Sequence, residues 1–340
     1  MERGVQYGQQ AKGKIRAGIE TYRELFARTS GKSWEEIVGY ALSYEPVIQD
    51  SMPEVLEEAK GIAQGADVTF GELMVLNCRY EITKFPKQKD PRPPRECTTG
   101  AVLPQAARDG KTYLIKNWDY RQSILDNIVL IHIEEEDGTR IMGLAEAGQM
   151  LREGFNSHGV GLVNNMIQSC WDSRGVGIPV TFLRRRVLAS KSFEEAKEIL
   201  ISSPRSVSNN MLLCHKSGHA VDIEATPKGP FMIEPREGII THANHIVTHP
   251  EIDPLPSPKN RDTRLDGLLR RCHGNIDLPF IMECMRDHEY YPHSVCAHVT
   301  PETADTDIMT VASIIVDFDT ETAHICAGPP CQGEYISYRL

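Results

Sequence analysis

The chain has 340 residues, 40% of them hydrophobic and 25% charged, and a net charge of −10. This is an ordinary globular composition, long enough for one large domain or two small ones. The acidity argues against a nucleic-acid partner, which would need basic surface to displace counterions. No apolar run approaches the roughly 18 residues of a membrane helix, and Met1 to Gln10 has no apolar signal core. The expectation is a cytoplasmic protein with neither a nucleic-acid nor a membrane partner.

The first eighty or so residues read as helical. Ile15, Ile19, Tyr22, Leu25 and Phe26 recur at helical spacing, predicting a helix over Ala11 to Arg28. Ser33 with Glu36 forms a capping-box pattern for the next helix, and Thr69 caps a third that runs to Tyr80. Lys84 to Glu96 then holds four prolines among charges. Such a stretch suits neither helix interior nor central strand and is expected to be an exposed extended loop.

Strands follow. Thr112 to Trp118, Asn127 to Ile133, Arg140 to Ala145 and Gly159 to Asn165 are short and apolar or β-branched. So are Met211 to Cys214, Ala220 to Glu224, Phe231 to Glu234, Gly238 to His242, Val311 to Phe318 and Glu321 to Ala327. Asp109-Gly110, Asp137-Gly138, Ser217-Gly218 and Asp319-Thr320 supply turns between them. Two helical stretches interrupt the run: Pro179 to Ser202, with Ser192 opening its second helix, and Lys259 to His288. Arg184 to Arg186, pointing around a helix, read as a solvated basic run. Antiparallel hairpins with helices outside give an α+β layered fold.

Nine cysteines, odd in number and without a Cys-x-x-Cys pair, form neither a disulfide framework nor a zinc ribbon. Most read as small buried hydrophobes. Cys97 differs, because it opens a strand directly after the proline loop. Cleavage between Glu96 and Cys97 would give Cys97 a thiol and a free α-amine on one Cα. An amine with a reference pKa near ~7.7–8.0 can serve as general base without a distant histidine. The thiol can make the cut itself by attacking the Glu96 carbonyl.

Several elements follow Cys97-Thr98-Thr99-Gly100 in order. They are Asn117-Trp118-Asp119, Gly154-Phe155-Asn156-Ser157-His158-Gly159-Val160-Gly161, Asn164-Asn165, His242-Ala243-Asn244-His245 and Pro292-His293-Ser294-Val295-Cys296. This set closely resembles the isopenicillin N acyltransferase (acyl-coenzyme A:6-aminopenicillanic acid acyltransferase) family, peptidase family C45. The likeness runs from a Gly4-x-x-x-Gly8 element to Gly328-Pro329-Pro330-Cys331.

The resemblance implies an N-terminal-nucleophile hydrolase with a four-layer αββα sandwich. It implies a chain cut into an α segment, 1–96, and a β segment, 97–340, that stay together as one domain. The substrate expected is a small-molecule amide or acyl thioester, acyl-coenzyme A among the candidates, and no cofactor is expected. Cys97 is then the nucleophile, Asp119 the carboxylate that orients its amine, and Asn244 the oxyanion donor, with Asn165 as a second. Ser294, Thr98 and Trp118 are expected to support the site, whereas Asn156 reads as a turn residue. Where the family is expected to carry an arginine shortly after the serine, this chain has Ala297.

Two other readings stand beside this one. The first is a binding relative of the same fold with weak or lost turnover, favoured by Ala297. The second is a metal-dependent hydrolase built on His242, His245 and His249. It is disfavoured because no glutamate stands where a zinc-protease helix needs one, so no metal is expected. His215 and His219, flanking a Ser-Gly turn, are discounted in the same way.

Overall fold

The computed structural model describes residues 1–83, 97–173, 175–254, 260–301 and 308–340. The proline-rich segment 84–96, with Glu96, lies outside the described residues. The N-terminal segment forms α1 (Glu2–Gln10), α2 (Lys12–Thr29), α3 (Trp34–Leu42), α4 (Glu45–Ser51), α5 (Pro53–Ala66), α6 (Phe70–Asn77) and α7 (Arg79–Ile82). Ser33 and Thr69 both close capping boxes, with Glu36 and Glu72. The helix expected through Tyr80 breaks at Cys78 into α6 and α7.

The Gly4–Gly8 pair seats α1 on α5, backbone against backbone. A Cβ on Gly4 would stand 2.1 Å from the Glu58 carbonyl oxygen, and one on Gly61 of α5 would stand 2.2 Å from the Met1 carbonyl oxygen. Only glycine permits this approach.

Strands β1 (Thr98–Val102), β2 (Tyr113–Arg121), β3 (Ile128–Glu134), β4 (Arg140–Glu146), β5 (Glu153–Asn156) and β6 (Val160–Asn165) follow, then helices α8 (Val180–Leu188) and α9 (Phe193–Ser202). Next come β7 (Asn209–His215), β8 (His219–Thr226), β9 (Gly229–Ile233), β10 (Ile239–His242), α10 (Arg261–Arg271), α11 (Leu278–Met285), β11 (Ile308–Asp317), β12 (Thr322–Ala327) and β13 (Ile336–Arg339). Sequence pattern did not single out β5 or β13. The first is a short, glycine-containing strand and the second is an exposed edge. Asn156 ends β5 and, as expected, holds a turn: its Oδ1 accepts from the backbone N–H groups of His158 and Val160.

Two antiparallel sheets result, ordered β10-β1-β2-β11-β12-β13 and β3-β4-β5-β6-β7-β8-β9. Their facing sides bury Cys97, Leu114, Trp118, Phe155, Leu212 and Ile314 in one apolar layer. Helices α1 to α9 pack on the outside of the second sheet, and α10 and α11 on the outside of the first. The fold is the αββα sandwich of the N-terminal-nucleophile hydrolases. Among the described residues no helix is long and apolar enough to cross a membrane.

The basic run on α8 is not solvated. Arg184 and Arg185 are 0% and 2% exposed, because α8 lies beneath the N-terminal helices. Arg185 grips Glu58 of α5 at 2.7 and 3.0 Å and Glu135 at 2.6 Å. Only Arg186 reaches outward.

Candidate active site

Cys97 stands immediately before β1, fully buried, with φ at 76°. A side chain in this left-handed region costs on the order of 1–3 kcal/mol and persists only where its surroundings enforce it. The strand that follows, β1, pairs antiparallel with β2 so that Thr98 lies opposite Asn117. Successive residues of a strand face opposite sides. Asp119 and Asn117 therefore point toward α10 and α11, and Trp118 and Lys116 into the layer between the sheets.

On the α10 side, Asp119 is fully buried. Its Oδ1 accepts from Thr310 Oγ1 at 2.6 Å, and its Oδ2 from Arg261 Nη1 at 2.5 Å. The carboxylate also takes a hydrogen bond from the backbone N–H of Cys97. Burial pushes the carboxyl up to about 6, against the opposing pull of Arg261, Thr310, the Cys97 N–H and Lys116. Arg261 spans two of the sequence-derived residues, since its Nη2 donates to Asn244 Oδ1 at 2.7 Å. That bond fixes which end of the Asn244 amide carries hydrogens, and Nδ2 donates to the Met166 carbonyl at 2.9 Å.

Arg261 was missed by sequence reasoning. It lies 142 residues from Asp119 and 17 from Asn244 in the chain, and nothing local distinguishes it from the other arginines of its helical stretch. Ala297, where an arginine is expected after Ser294, is buried.

On the inter-sheet side the Cys97 sulfur lies 4.0 Å from the Asp119 carbonyl oxygen and 4.0 Å from Arg152 Nη2. The Arg152 guanidinium sits 4.2 Å over the Trp118 ring. Lys116 and Glu153, both fully buried, pair at 2.8 Å beside it. Arg152 too carried no sequence signal. Two residues along β1, Thr99 donates to Asn165 Oδ1 at 2.6 Å, and Asn210 Nδ2 donates to the same oxygen at 3.1 Å. Asn165 Nδ2 is buried and has no hydrogen-bond partner among the described residues. Thr98 is buried on the opposite face of β1, its Oγ1 likewise unpartnered among the described residues. Ser294 is fully buried and gives its hydroxyl to the Cys296 carbonyl at 2.6 Å, holding its own loop.

The histidines after β10 have separate partners. His242 meets Glu224 at 2.9 Å, His245 meets Asp262 at 3.4 Å and His249 meets Glu251 at 3.0 Å. His242 is fully buried. Desolvation opposes its charge, but Asp222 and Glu224 outweigh it and raise the imidazole to about 9. Glu224 also accepts from the backbone of Val247 at 2.5 Å and of Thr248 at 3.1 Å, which ties down the loop that follows Asn244. His215 and His219 both hydrogen-bond Ser217.

Residues 106–332 match the model of the acyl-coenzyme A:6-aminopenicillanic acid acyl-transferase family. The chain belongs to this family. It is 27% identical over 303 residues to the acyl-coenzyme A:6-aminopenicillanic-acid-acyltransferase 40 kDa form of Emericella nidulans, covering 87% of this chain and 81% of that one. A variant of conjugated bile acid hydrolase from Clostridium perfringens shares the fold at a TM-score of 0.50 and 14% identity, covering 72% of this chain and 97% of that one. The N-acylethanolamine-hydrolyzing acid amidase ortholog of Caenorhabditis elegans gives a TM-score of 0.48 at 14% identity, over 72% of this chain and all of that one.

Proposed function

We propose that this chain is a self-cleaving acyltransferase or amidohydrolase that works through a thioester on Cys97. The observation that carries this reading is the hydrogen bond from the Cys97 backbone N–H to the Asp119 carboxylate, itself anchored by Arg261 and Thr310. In the uncut chain that nitrogen belongs to the Glu96–Cys97 amide. After cleavage it is the α-amine, already beside the anion that stabilises an ammonium.

In processing, the thiol sulfur adds to the Glu96 carbonyl carbon. The C–N bond breaks as the C–S bond forms, and the proton lost by the thiol passes to the nitrogen, which leaves as the free amine. Water then opens the thioester, freeing the Glu96 carboxylate and restoring the thiol. The positive φ of Cys97 supports this step, since breaking the bond relieves the backbone.

In turnover, the amine takes the thiol proton, the sulfur attacks the acyl carbon, and the ammonium protonates the departing amine or thiol. Asn165, with its unpartnered buried Nδ2, and Asn244, oriented by Arg261, are the proposed oxyanion donors. Arg152 places positive charge beside the reacting sulfur.

The substrate proposed is a small-molecule amide or acyl thioester. The relative's name records acyl-coenzyme A and 6-aminopenicillanic acid as its own, and a thioester donor is the first to try here. Segments 1–96 and 97–340 are proposed to stay associated after the cut. Supporting this, Tyr22 donates to Glu146 at 2.6 Å, and Asn77 exchanges hydrogen bonds with Gly148 and Met150 at 2.8 and 3.0 Å, all buried.

The test is an intact-mass spectrum of the denatured protein, followed by acyl-trapping on Cys97. Two chains divided between Glu96 and Cys97 are expected. A single uncut chain that still turns over substrate would overturn the N-terminal-nucleophile mechanism.

A further inference from the structure

Away from Cys97, beyond the end of α11, four side chains from three separate segments converge. His288 follows α11, Cys296 and His298 lie on the 292–298 loop, and Cys331 follows β12. Their ligand atoms all lie within 4.8 Å of one another. His298 Nε2 is 3.1 Å from His288 Nε2, 3.5 Å from Cys296 Sγ and 3.4 Å from Cys331 Sγ. One ring nitrogen carries either one proton or one lone pair. It can satisfy one of these three neighbours, not all of them.

A cation at their centre removes the conflict. With metal–nitrogen bonds of about 2.0–2.1 Å and metal–sulfur bonds of about 2.3 Å, a tetrahedral site sets its nitrogens about 3.4 Å apart and nitrogen from sulfur about 3.6 Å apart. The three spacings around His298 Nε2 lie within a few tenths of an ångström of those figures. We propose that His288, Cys296, His298 and Cys331 form a tetrahedral N2S2 site for a zinc-class divalent cation, in place of the metal-free chain expected from the sequence.

The chemistry balances. Each thiol loses its proton to the medium as its sulfur bonds the metal, and two thiolates neutralise the dication. Soft sulfur with imidazole in a tetrahedron selects zinc over the hard, oxygen-seeking cations. Four protein ligands leave no open position, so the role is structural.

The framework is held without the ions' help. Cys296 N–H donates to the Asp287 carbonyl at 3.1 Å, His298 N–H to the Pro292 carbonyl at 3.0 Å, and Arg286 Nε to the Pro330 carbonyl at 2.9 Å. The two loop ligands flank Ala297, whose N–H donates to Thr310 Oγ1 at 2.9 Å and whose carbonyl accepts from the Thr310 N–H at 3.0 Å. Thr310 is the residue that donates to Asp119. The metal clip therefore fixes one of the two side-chain anchors of that carboxylate. The linear spacing concealed it, because the ligands lie at 288, 296, 298 and 331 with no Cys-x-x-Cys pair.

The full chain, purified without chelator, should carry one zinc per chain by plasma mass spectrometry. Replacing zinc with cobalt(II) should give thiolate-to-metal charge-transfer absorption and intense visible bands of a tetrahedral ion. Cys331→Ser should lose the charge-transfer intensity of one thiolate. His288→Ala, at an exposed position that folding tolerates, should weaken cobalt binding by about 100-fold or more, beyond the ~10–100-fold cost of losing a group that only orients a ligand. A metal-free, folded wild type that takes up no cobalt overturns the proposal. So does a Cys296–Cys331 disulfide in peptide mapping, or a His288→Ala chain that binds cobalt unchanged. These readouts do not involve Cys97 turnover, so the metal site stands or falls independently of the proposed activity.

Discussion

Strand β2 serves two polar systems through its alternate faces, and they differ in how completely they are satisfied. Toward α10, Asp119 has both oxygens engaged, and Arg261 divides its donors between Asp119 and Asn244. Toward the second sheet, Arg152 Nη1 and Trp118 Nε1 are buried without hydrogen-bond partners among the described residues, beside the Cys97 sulfur. A satisfied cluster is a device for holding one geometry. An unsatisfied one carries a standing desolvation cost that a ligand can relieve.

Substitutions can break this division. The largest effect belongs to the sulfur: Cys97→Ala should leave one uncut chain by mass and no measurable turnover, and a cut Cys97→Ala chain would remove self-processing. Next, Arg261→Ala strips a buried carboxylate of its partner. It should cost about 3–5 kcal/mol in denaturant melts and most of the activity. Asn165→Ala, on the inter-sheet side, removes the acceptor of Thr99 and Asn210 and should cost the fold about 1–3 kcal/mol. In the folded protein kcat should fall about 10²–10³-fold, or ~2.7–4 kcal/mol, as for one lost oxyanion donor. Unchanged kcat would exclude Asn165 from the site.

Smaller effects come from titration. Asp119, raised from 3.8 to about 6 by burial, must be ionised for its proposed role. Turnover should rise with pH through a midpoint near 6, and Asp119→Asn should flatten that limb of the profile. The stability sign is opposite. A raised carboxyl favours the fold below its unfolded value, and that contribution is lost as pH climbs through about 6. The smallest effect on activity belongs to His242, raised to about 9 by Asp222 and Glu224 after desolvation is overcome. Its contribution is full below pH 6.5 and lost as pH rises through about 9. Thermal melts of His242→Gln should lose that alkaline step while Asn244-dependent activity persists at pH 7.

Much of this was legible in the chain itself. Local chemistry announces the capping boxes at Ser33 and Thr69, the β1–β2 hairpin and the turn at Asn156, because all their partners lie within a few residues. The position of Cys97 before a strand needs only its neighbours as well. What escaped depends on contacts remote in sequence. Arg261 resembles any helical arginine until Asp119, 142 residues away, is brought against it. Arg184 and Arg185 look like solvent-facing charges until α8 is covered by α5. The four ligands at 288–331 resemble scattered core cysteines and loop histidines until three segments meet. A periodicity argument sees which residues are apolar, but not which charges tertiary structure will bury.

The glycine crossing of α1 and α5 has a consequence for variation. A helix whose outer face is polar should accept almost any residue, and a survey guided by hydrophobicity would leave α1 out of the core. Yet a single methyl at Gly4 would stand 2.1 Å from a carbonyl oxygen. A saturation map of this protein will therefore show lethal positions at 4, 8, 61 and 65, spaced one helical turn apart and ringed by tolerant neighbours. The first turns of the chain are as inflexible to substitution as the centre of either sheet.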